Sequence, residues 1–344
     1  MSSTPSSTPR KPQGMNWVQT NGFILGLFLA VALAFAFPTP GSRHGWMHPS
    51  AVANAGIALI LFLQGLSIPL EKIKGSAGNW RLHVIIQAFT FIVFPLVGLG
   101  FQSILSVLWP AEPLGIRNGL LFLCVLPSTV STSVVLTAVA GGNTAAAVLS
   151  AAVSNLMGVV LTPLLVSFLM QATGEHGAVG PLILQIALLT VLPFIAGGLL
   201  RPVVRVWFEA NKRWSSRLSN AVILFIVYTA FCDSVSERIW ATYGAILTIE
   251  VMAVVVALFV TISLLAFGAS RAAKLKRPDA IAAYFCAVKK TLAMGVPLAM
   301  LIFGKRSDLG LILLPLMFYH PLQLFANGLL ANTLAHRQPP AEME

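Results

Sequence analysis

The chain has 344 residues, of which 57% are hydrophobic and only 10% are charged, and its mean hydropathy is +0.84. About a quarter of the residues in a soluble domain are charged, so this composition excludes a soluble protein and indicates a polytopic membrane protein. The net charge of +11 does not indicate nucleic-acid binding, because the basic residues lie in short segments between apolar runs.

Ten apolar runs have roughly the 20-residue length that an α-helix needs to cross a bilayer. The fold class is therefore predicted as all-α, with ten transmembrane helices. The predicted spans are residues 22–37, 51–70, 82–108, 117–140, 144–170, 181–200, 217–236, 243–267, 280–303 and 309–334. Residues 1–20, rich in Ser, Thr and Pro, are predicted to form a disordered cytoplasmic tail, and residues 336–344 a second tail.

The basic residues favour one orientation of these spans. With the N-terminus inside, fifteen Lys and Arg fall in inner segments and five in outer loops, which places both termini in the cytoplasm. The inner set is Arg10, Lys11, Lys72, Lys74, Arg81, Arg201, Arg205, Lys212, Arg213, Arg217, Arg271, Lys274, Lys276, Arg277 and Arg337. We expect a multi-pass protein of a plasma membrane, or of the inner membrane in a bacterium.

The ten spans divide into two groups of five at the loop 171–181. Because each half has an odd number of spans, the second half (171–335) enters the membrane inverted relative to the first (21–170). In both halves the fourth span carries polar residues and a proline at mid-membrane depth. Such interruptions mark the binding site in transporters built from inverted repeats, so we predict broken helices at spans 4 and 9.

The interruption in span 4 is the stretch that follows Pro127. Broken, polar backbone at membrane depth is tolerated where it is packed in protein or lines a watery cavity, so a substrate or ion site is predicted here. The predicted binding residues of the first half are Ser128, Thr129, Ser131, Thr132, Ser133, Asn143, Ser154, Asn155 and Gln87. The alternative is structural, since hydroxyls in membrane helices often bond a carbonyl of the preceding turn.

The interruption in span 9 contains Lys289 and Lys290, followed by Thr291. The lysines lie about 14 Å along the span, near the midplane. A lipid-facing pair would cost roughly 5–7 kcal/mol, so we expect them to face a cavity. Neighbours on a regular helix point about 100° apart, so both can face one cavity only where the helix is unwound. Glu250 in span 8 is the acid best placed to be their counter-charge.

Nothing in the spans favours catalysis. They contain no paired carboxylates, no histidine pair and no nucleophile beside a base, and His320 is interpreted as structural. Three cysteines without metal-ligand spacing predict neither a disulfide framework nor a metal site, and no cofactor is predicted.

Several motifs resemble the bile acid:sodium symporter superfamily, and most closely its divergent branch of sodium/bile-acid-symporter-like proteins, which includes a fungal regulator of calcium uptake. They are Leu126-Pro-Ser-Thr-Val-Ser-Thr-Ser-Val134, Gly142-Asn143, Ala151-Ala-Val-Ser-Asn155-Leu and Leu161-Thr-Pro-Leu164. The resemblance covers about residues 16–335. It implies a panel domain, a core domain, two inverted five-helix repeats, and broken helices that cross at spans 4 and 9.

The chain departs from the sodium-coupled members of that superfamily. In the first crossover Thr132 and Ser133 stand where those carriers have the Ser and Asn that bind sodium, so only a vestigial sodium site is expected. In the second crossover their Glu and Gln are absent from the stretch Cys286–Thr291, while Gln87 matches a glutamine of the second sodium site. We therefore expect Lys289 or Lys290 to take the place of the coupling sodium, because a fixed ammonium supplies the same charge.

The predicted function is that of a secondary carrier for a small organic anion, working by alternating access and either uncoupled or coupled to protons. The alternative is a membrane regulator of calcium homeostasis that moves no solute itself. The expected partners are the solute and the lipid bilayer, with no nucleic acid.

Overall fold

A computed structural model describes residues 17–42, 45–47, 49–67, 80–172, 179–244 and 246–336 of the chain. The described residues form helices and no strand. The helices are α1 Trp17–Ala36, α2 Pro38–Gly41, α3 Pro49–Ser67, α4 Trp80–Leu108, α5 Leu114–Val125, α6 Ser131–Val139, α7 Thr144–Ala172, α8 Val179–Ala210, α9 Lys212–Ser236, α10 Ile239–Tyr243, α11 Ile246–Ala272, α12 Arg277–Ala287, α13 Leu292–Phe303 and α14 Leu309–His336.

Helices long enough to cross a bilayer dominate the described structure. Seven helical stretches combine sufficient length with high hydropathy, and three shorter helices are also apolar. Large apolar side chains such as Phe168, Leu199 and Val206 are exposed on the outside of the bundle. An apolar exterior suits lipid as the surrounding solvent, and the chain is a polytopic, all-helical membrane protein.

The predicted spans match the helices closely, with two informative differences. Helix α1 begins at Trp17, inside the segment predicted as a tail, while residues 1–16 and 337–344 lie outside the described residues. Helix α8 continues to Ala210, beyond the predicted end at 200, and its last turns carry an ion pair of Arg205 with Glu209 at 3.3 Å. Spans 4 and 9 are each two helices, α5 with α6 and α12 with α13, as the predicted interruptions require.

The helices pack in two groups. Helices α1, α3, α8 and α9 contact one another, and α3 and α8 approach closely at Gly65 and Gly197, where a Cβ would collide with the facing backbone. Small residues permit such close approach in membranes. The other group is built around α5, α6, α12, α13 and α14, with α4, α7 and α11 against them. The four half-helices therefore lie in the centre of the second group.

A π-helical segment, Phe89–Val93, interrupts α4. At its end the amide of Phe94 donates to the carbonyl of Phe89, five residues back, instead of to that of Thr90. The shifted hydrogen bond leaves the Thr90 carbonyl without its usual helical partner. This carbonyl lies beside the two interruptions.

Candidate functional site

The first interruption, residues 126–130, is caused by Pro127. Proline has no amide hydrogen and disfavours helical backbone in the preceding residue, and Leu126 is extended, with φ −68° and ψ 149°. Helix α5 thus ends at Val125, its last carbonyls lack partners within the helix, and α6 starts at Ser131.

The second interruption, residues 288–291, lies directly against the first. The Thr291 amide donates to the Pro127 carbonyl at 3.0 Å. The Ser128 hydroxyl donates to the Cys286 carbonyl at 2.7 Å, and the Ser133 hydroxyl to the Phe285 carbonyl at 3.1 Å. Ser128 of the first interruption and Ser133 of the adjoining first turn of α6 therefore satisfy terminal carbonyls of α12, which lack partners within that helix.

Lys290, in the second interruption, donates hydrogen bonds to carbonyls at the end of α5. Its ammonium, fully buried, donates to the carbonyls of Cys124 at 2.8 Å, Leu126 at 2.7 Å and Thr90 at 3.0 Å. It also lies 3.9 Å from the centroid of the Phe94 ring, a favourable cation–π position. An ammonium has three hydrogens, so every donor is satisfied. We call these three carbonyls and the ring the carbonyl cage.

Gln323 on α14 fixes the backbone of Lys290. Its amide oxygen accepts from the Lys290 amide at 2.8 Å, and its amide nitrogen donates to the Lys290 carbonyl at 2.8 Å. One helical turn away, the hydroxyl of Tyr319 donates to the carbonyl of Val288 at 2.7 Å. Helix α14 therefore supplies the hydrogen bonds that the unwound segment cannot form within itself.

Lys289 has very different surroundings. It is as fully buried as its neighbour, yet its ammonium has no hydrogen-bond partner among the described residues. It lies close enough to Cys286 and His320 for electrostatic interaction. Neither lysine forms an ion pair with the half-buried Glu250 in the described part of the chain. An unpartnered buried ammonium is costly, and it can be compensated by an anion.

Two helix N-termini meet at the interruptions. Helices α6 and α13 both begin without a side-chain cap and without an acidic residue in the first turn. Their first intrahelical bonds within the chain are made by the amides of Val134 and Gly295. The preceding amides of each first turn have no acceptor within the helix and carry the positive end of its dipole. The region where the two interruptions meet therefore contains the positive ends of two helix dipoles.

Most of the hydroxyls and amides predicted as binding residues hold the first interruption in place. Ser154 accepts from the Ser128 amide at 3.0 Å, and Asn155 donates to the Ser128 carbonyl at 2.8 Å. The Thr129 hydroxyl is 2.9 Å from that of Thr132. These groups therefore form structural hydrogen bonds, as the alternative interpretation of the sequence expected. Their role in binding stays a prediction.

Three other predicted residues lie apart from this cluster. Asn143 begins α7, where its side chain accepts from the Ala146 amide at 3.0 Å and donates to Asp279 at 2.8 Å, so it caps that helix. Ser131 is exposed. The amide nitrogen of Gln87 donates to the Ser150 carbonyl at 2.8 Å, while its buried oxygen has no partner among the described residues.

Gln323 and Tyr319 were not predicted, although the sequence contains a signal for them. Tyr319, Gln323 and Asn327 recur every four residues in an otherwise apolar span, which places them on one helical face. The sequence does not indicate the role of the Thr90 carbonyl, because a π-helical segment frees this carbonyl from its helical hydrogen bond. Within the described residues, no cluster of His, Cys, Asp or Glu has the make-up of a metal site.

The chain is similar to membrane transport proteins. Residues 21–336 match the SBF-like CPA transporter family. The sequence is 38% identical over 315 residues to "Putative symporter YfeH" of Escherichia coli (strain K12), covering 90% of this chain and 91% of that protein. It is 30% identical over 315 residues to sodium/bile acid cotransporter 7 of Xenopus tropicalis, covering 91% of each chain. The cotransporter 7 of Mus musculus is 31% identical over 314 residues, covering 91% of this chain and 92% of that protein.

Proposed function

Because this chain belongs to the SBF-like CPA transporter family, we propose that it is a secondary carrier that moves a small organic anion by alternating access and does not use sodium. Ten spans in two inverted five-helix repeats, residues 21–170 and 171–335, are part of the proposal. The observation that carries it is the pair of buried lysines at the meeting point of the two interruptions.

The carbonyl cage supports sodium independence. Converging backbone carbonyls are the ligands with which channels and transporters bind monovalent cations. In this chain the ammonium of Lys290 fills that position, at 2.7–3.0 Å from three oxygens. A second cation there would meet strong repulsion. The hydroxyls of Thr132 and Ser133, where a vestigial sodium site was expected, are hydrogen-bonded to that of Thr129.

The surroundings of Lys289 support an anionic solute. The unpartnered ammonium and the uncapped first turns of α6 and α13 supply positive charge without a protein anion to balance it. A carboxylate or similar group on the solute would provide that balance and would accept hydrogen bonds from the free amides. The lysine and the half-helix ends would thus act on the same ligand group.

The contacts between the two helix groups support movement of one group against the other. The amide nitrogen of Gln64 on α3 donates to the carbonyl of Ala293 in the first turn of α13, at 3.3 Å. Further along α13, a cavity of about 300 Å³ opens between the groups, lined by residues such as Asp233, Met300 and Lys305. Rocking that extends this cavity toward Lys289 would break the Gln64 bond. It would also break the bonds of the Ser234 hydroxyl with the Ser307 carbonyl and the Gly310 amide, at 3.1 Å each, at a cost of about 1 kcal/mol per bond.

Counterflow tests the proposal. Purified protein in liposomes preloaded with one organic anion should accumulate the labelled anion, equally in sodium and choline buffers. The Lys289→Met variant should lose this uptake, and Lys212→Met, at an exposed lysine in the first turn of α9, serves as the charge-matched control.

Two outcomes would contradict the proposal. Sodium-dependent counterflow would show that a cation is still coupled. If a folded protein gave no counterflow with any anion of a broad panel, the alternative of a membrane regulator of calcium homeostasis would be favoured.

A further inference from the structure

A cavity of about 380 Å³ lies where the C-terminal end of α11, α12 and the last turns of α14 meet, and none of the residues 126–130 or 288–291 lines it. Three cations line it, Arg271, Lys274 and Arg277, and all three are exposed. Its inner wall includes the buried side chains of Tyr284 and Phe285. The described lining contains no acidic residue, so the cavity is cationic at its mouth and apolar inside.

The two kinds of lining require an amphiphilic ligand. A small inorganic anion would contact the cations but leave the apolar wall exposed to water. Next to the cavity, Phe267 is 45% exposed and Leu264 is 68% exposed, on a helix apolar enough to lie in a bilayer. The wall is thus continuous with a surface that faces lipid chains. Basic pockets between transmembrane helices are suited to anionic headgroups.

We propose that this cavity binds an anionic phospholipid, with the headgroup phosphate on Arg271 and Lys274 and an acyl chain along Phe267, Leu330 and Leu334. Arg277 has a second role, since its guanidinium donates to the Leu334 carbonyl at 3.3 Å and so holds α12 against α14. The bound lipid would join α11, α12 and α14. Because α12 leads into the second interruption, lipid binding would stabilise the helix that presents Lys289 and Lys290.

The test compares two double variants with the same loss of charge. Arg271→Gln/Lys274→Gln removes two cations of the cavity. Lys212→Gln/Arg213→Gln removes two cations that are predicted to lie on the same membrane face and do not line the cavity. Arg277 is left in place because of its structural bond. Each protein is placed in phosphatidylcholine nanodiscs, phosphatidylglycerol is titrated in, and bound lipid and melting temperature are measured.

Each cation near an anionic headgroup contributes roughly a fivefold factor in affinity, so the cavity variant should bind phosphatidylglycerol about 30-fold more weakly, while the control variant matches the native protein. Equal weakening in both variants would overturn the proposal, because it would show a general surface-charge effect. Stabilisation by soluble glycerol phosphate equal to that by phosphatidylglycerol would also overturn it. If the double variant is unfolded in pure phosphatidylcholine, Lys274→Gln alone gives the same test, with about a fivefold loss expected.

Discussion

Lys290 and Lys289 are chain neighbours and are equally buried, yet their surroundings are opposite. The ammonium of Lys290 has three carbonyl partners and an aromatic ring, whereas that of Lys289 has no partner among the described residues. The difference shows that burial sets the cost of a charge but not its role. A buried ammonium is satisfied where freed carbonyls converge on it, and one without such partners lacks this compensation, which is why a ligand role is proposed for Lys289.

The carbonyl cage depends on irregular backbone. The interruption after Val125 leaves the carbonyls of Cys124 and Leu126 without helical partners, and the π-helical segment does the same for that of Thr90. Regular helices would keep all three engaged. Two local departures from helix, about 35 residues apart in sequence, thus create one site for a cation.

Lys290→Met should have the largest effect on stability. Methionine keeps the length of the side chain but leaves three buried carbonyls without donors, so we expect the free energy of unfolding to fall by about 3–5 kcal/mol. Thermal unfolding in detergent measures the loss. A melting temperature like that of the native protein would show that the cage contributes no stability.

Gln323→Leu should destabilise less than Lys290→Met. It removes two hydrogen bonds to the backbone of Lys290 and retains the cage, so about 2 kcal/mol is expected. Thr333→Leu, which removes one exposed hydroxyl on the same helix, is the control and should shift the melting temperature little. Equal shifts in the two variants would mean that the unwound segment does not depend on α14.

Lys289→Met should change stability in the opposite direction to Lys290→Met. It removes a buried charge that has no protein partner, so the free energy of unfolding should rise by about 1–2 kcal/mol while anion binding is lost. Melting curves with and without the anion measure both quantities. If Lys289→Met destabilised the protein as much as Lys290→Met, the two lysines would not differ in their contribution to stability.

The hydroxyls of the first interruption give the smallest effects. Ser128→Ala loses a buried bond to the Cys286 carbonyl, and about 1–2 kcal/mol of destabilisation is expected. Ser131→Ala, three residues away and exposed, should stay within about 0.5 kcal/mol of the native protein. If both variants behaved alike, the contacts between the two interruptions would not be structural.

The sequence predicted the helices well and the hydrogen-bond contacts of single residues less well. Apolar runs locate the spans because membrane helices must be long and continuous, and Pro127 with its hydroxyls marks the first interruption correctly. Asn143 was predicted as a binding residue; in the structure its side chain caps α7, and its role in binding stays a prediction. Its position before Thr144, directly after two glycines, is a cap signal that sequence reasoning can use.

The different surroundings of the two lysines could not be read from the sequence. They depend on the hydrogen-bond shift at Phe94 and on the contact of Gln323 with Lys290, 33 residues away. The first is a local shift of hydrogen bonds within α4 and the second is a tertiary contact, and neither hydropathy nor spacing encodes them. The pair of central lysines predicted an unusual site, and only the packing of four helices assigns each lysine its surroundings.

Thermal unfolding of the native protein in sodium chloride and in choline chloride tests the central claim most directly. A ligand at about a hundred times its dissociation constant stabilises by roughly 2.7 kcal/mol, which a melting curve resolves. Since Lys290 already supplies the cation of the carbonyl cage, we predict identical melting temperatures in the two salts at equal ionic strength. A higher melting temperature in sodium alone would mean that the chain binds sodium, and would contradict the assignment of Lys290 as its fixed replacement.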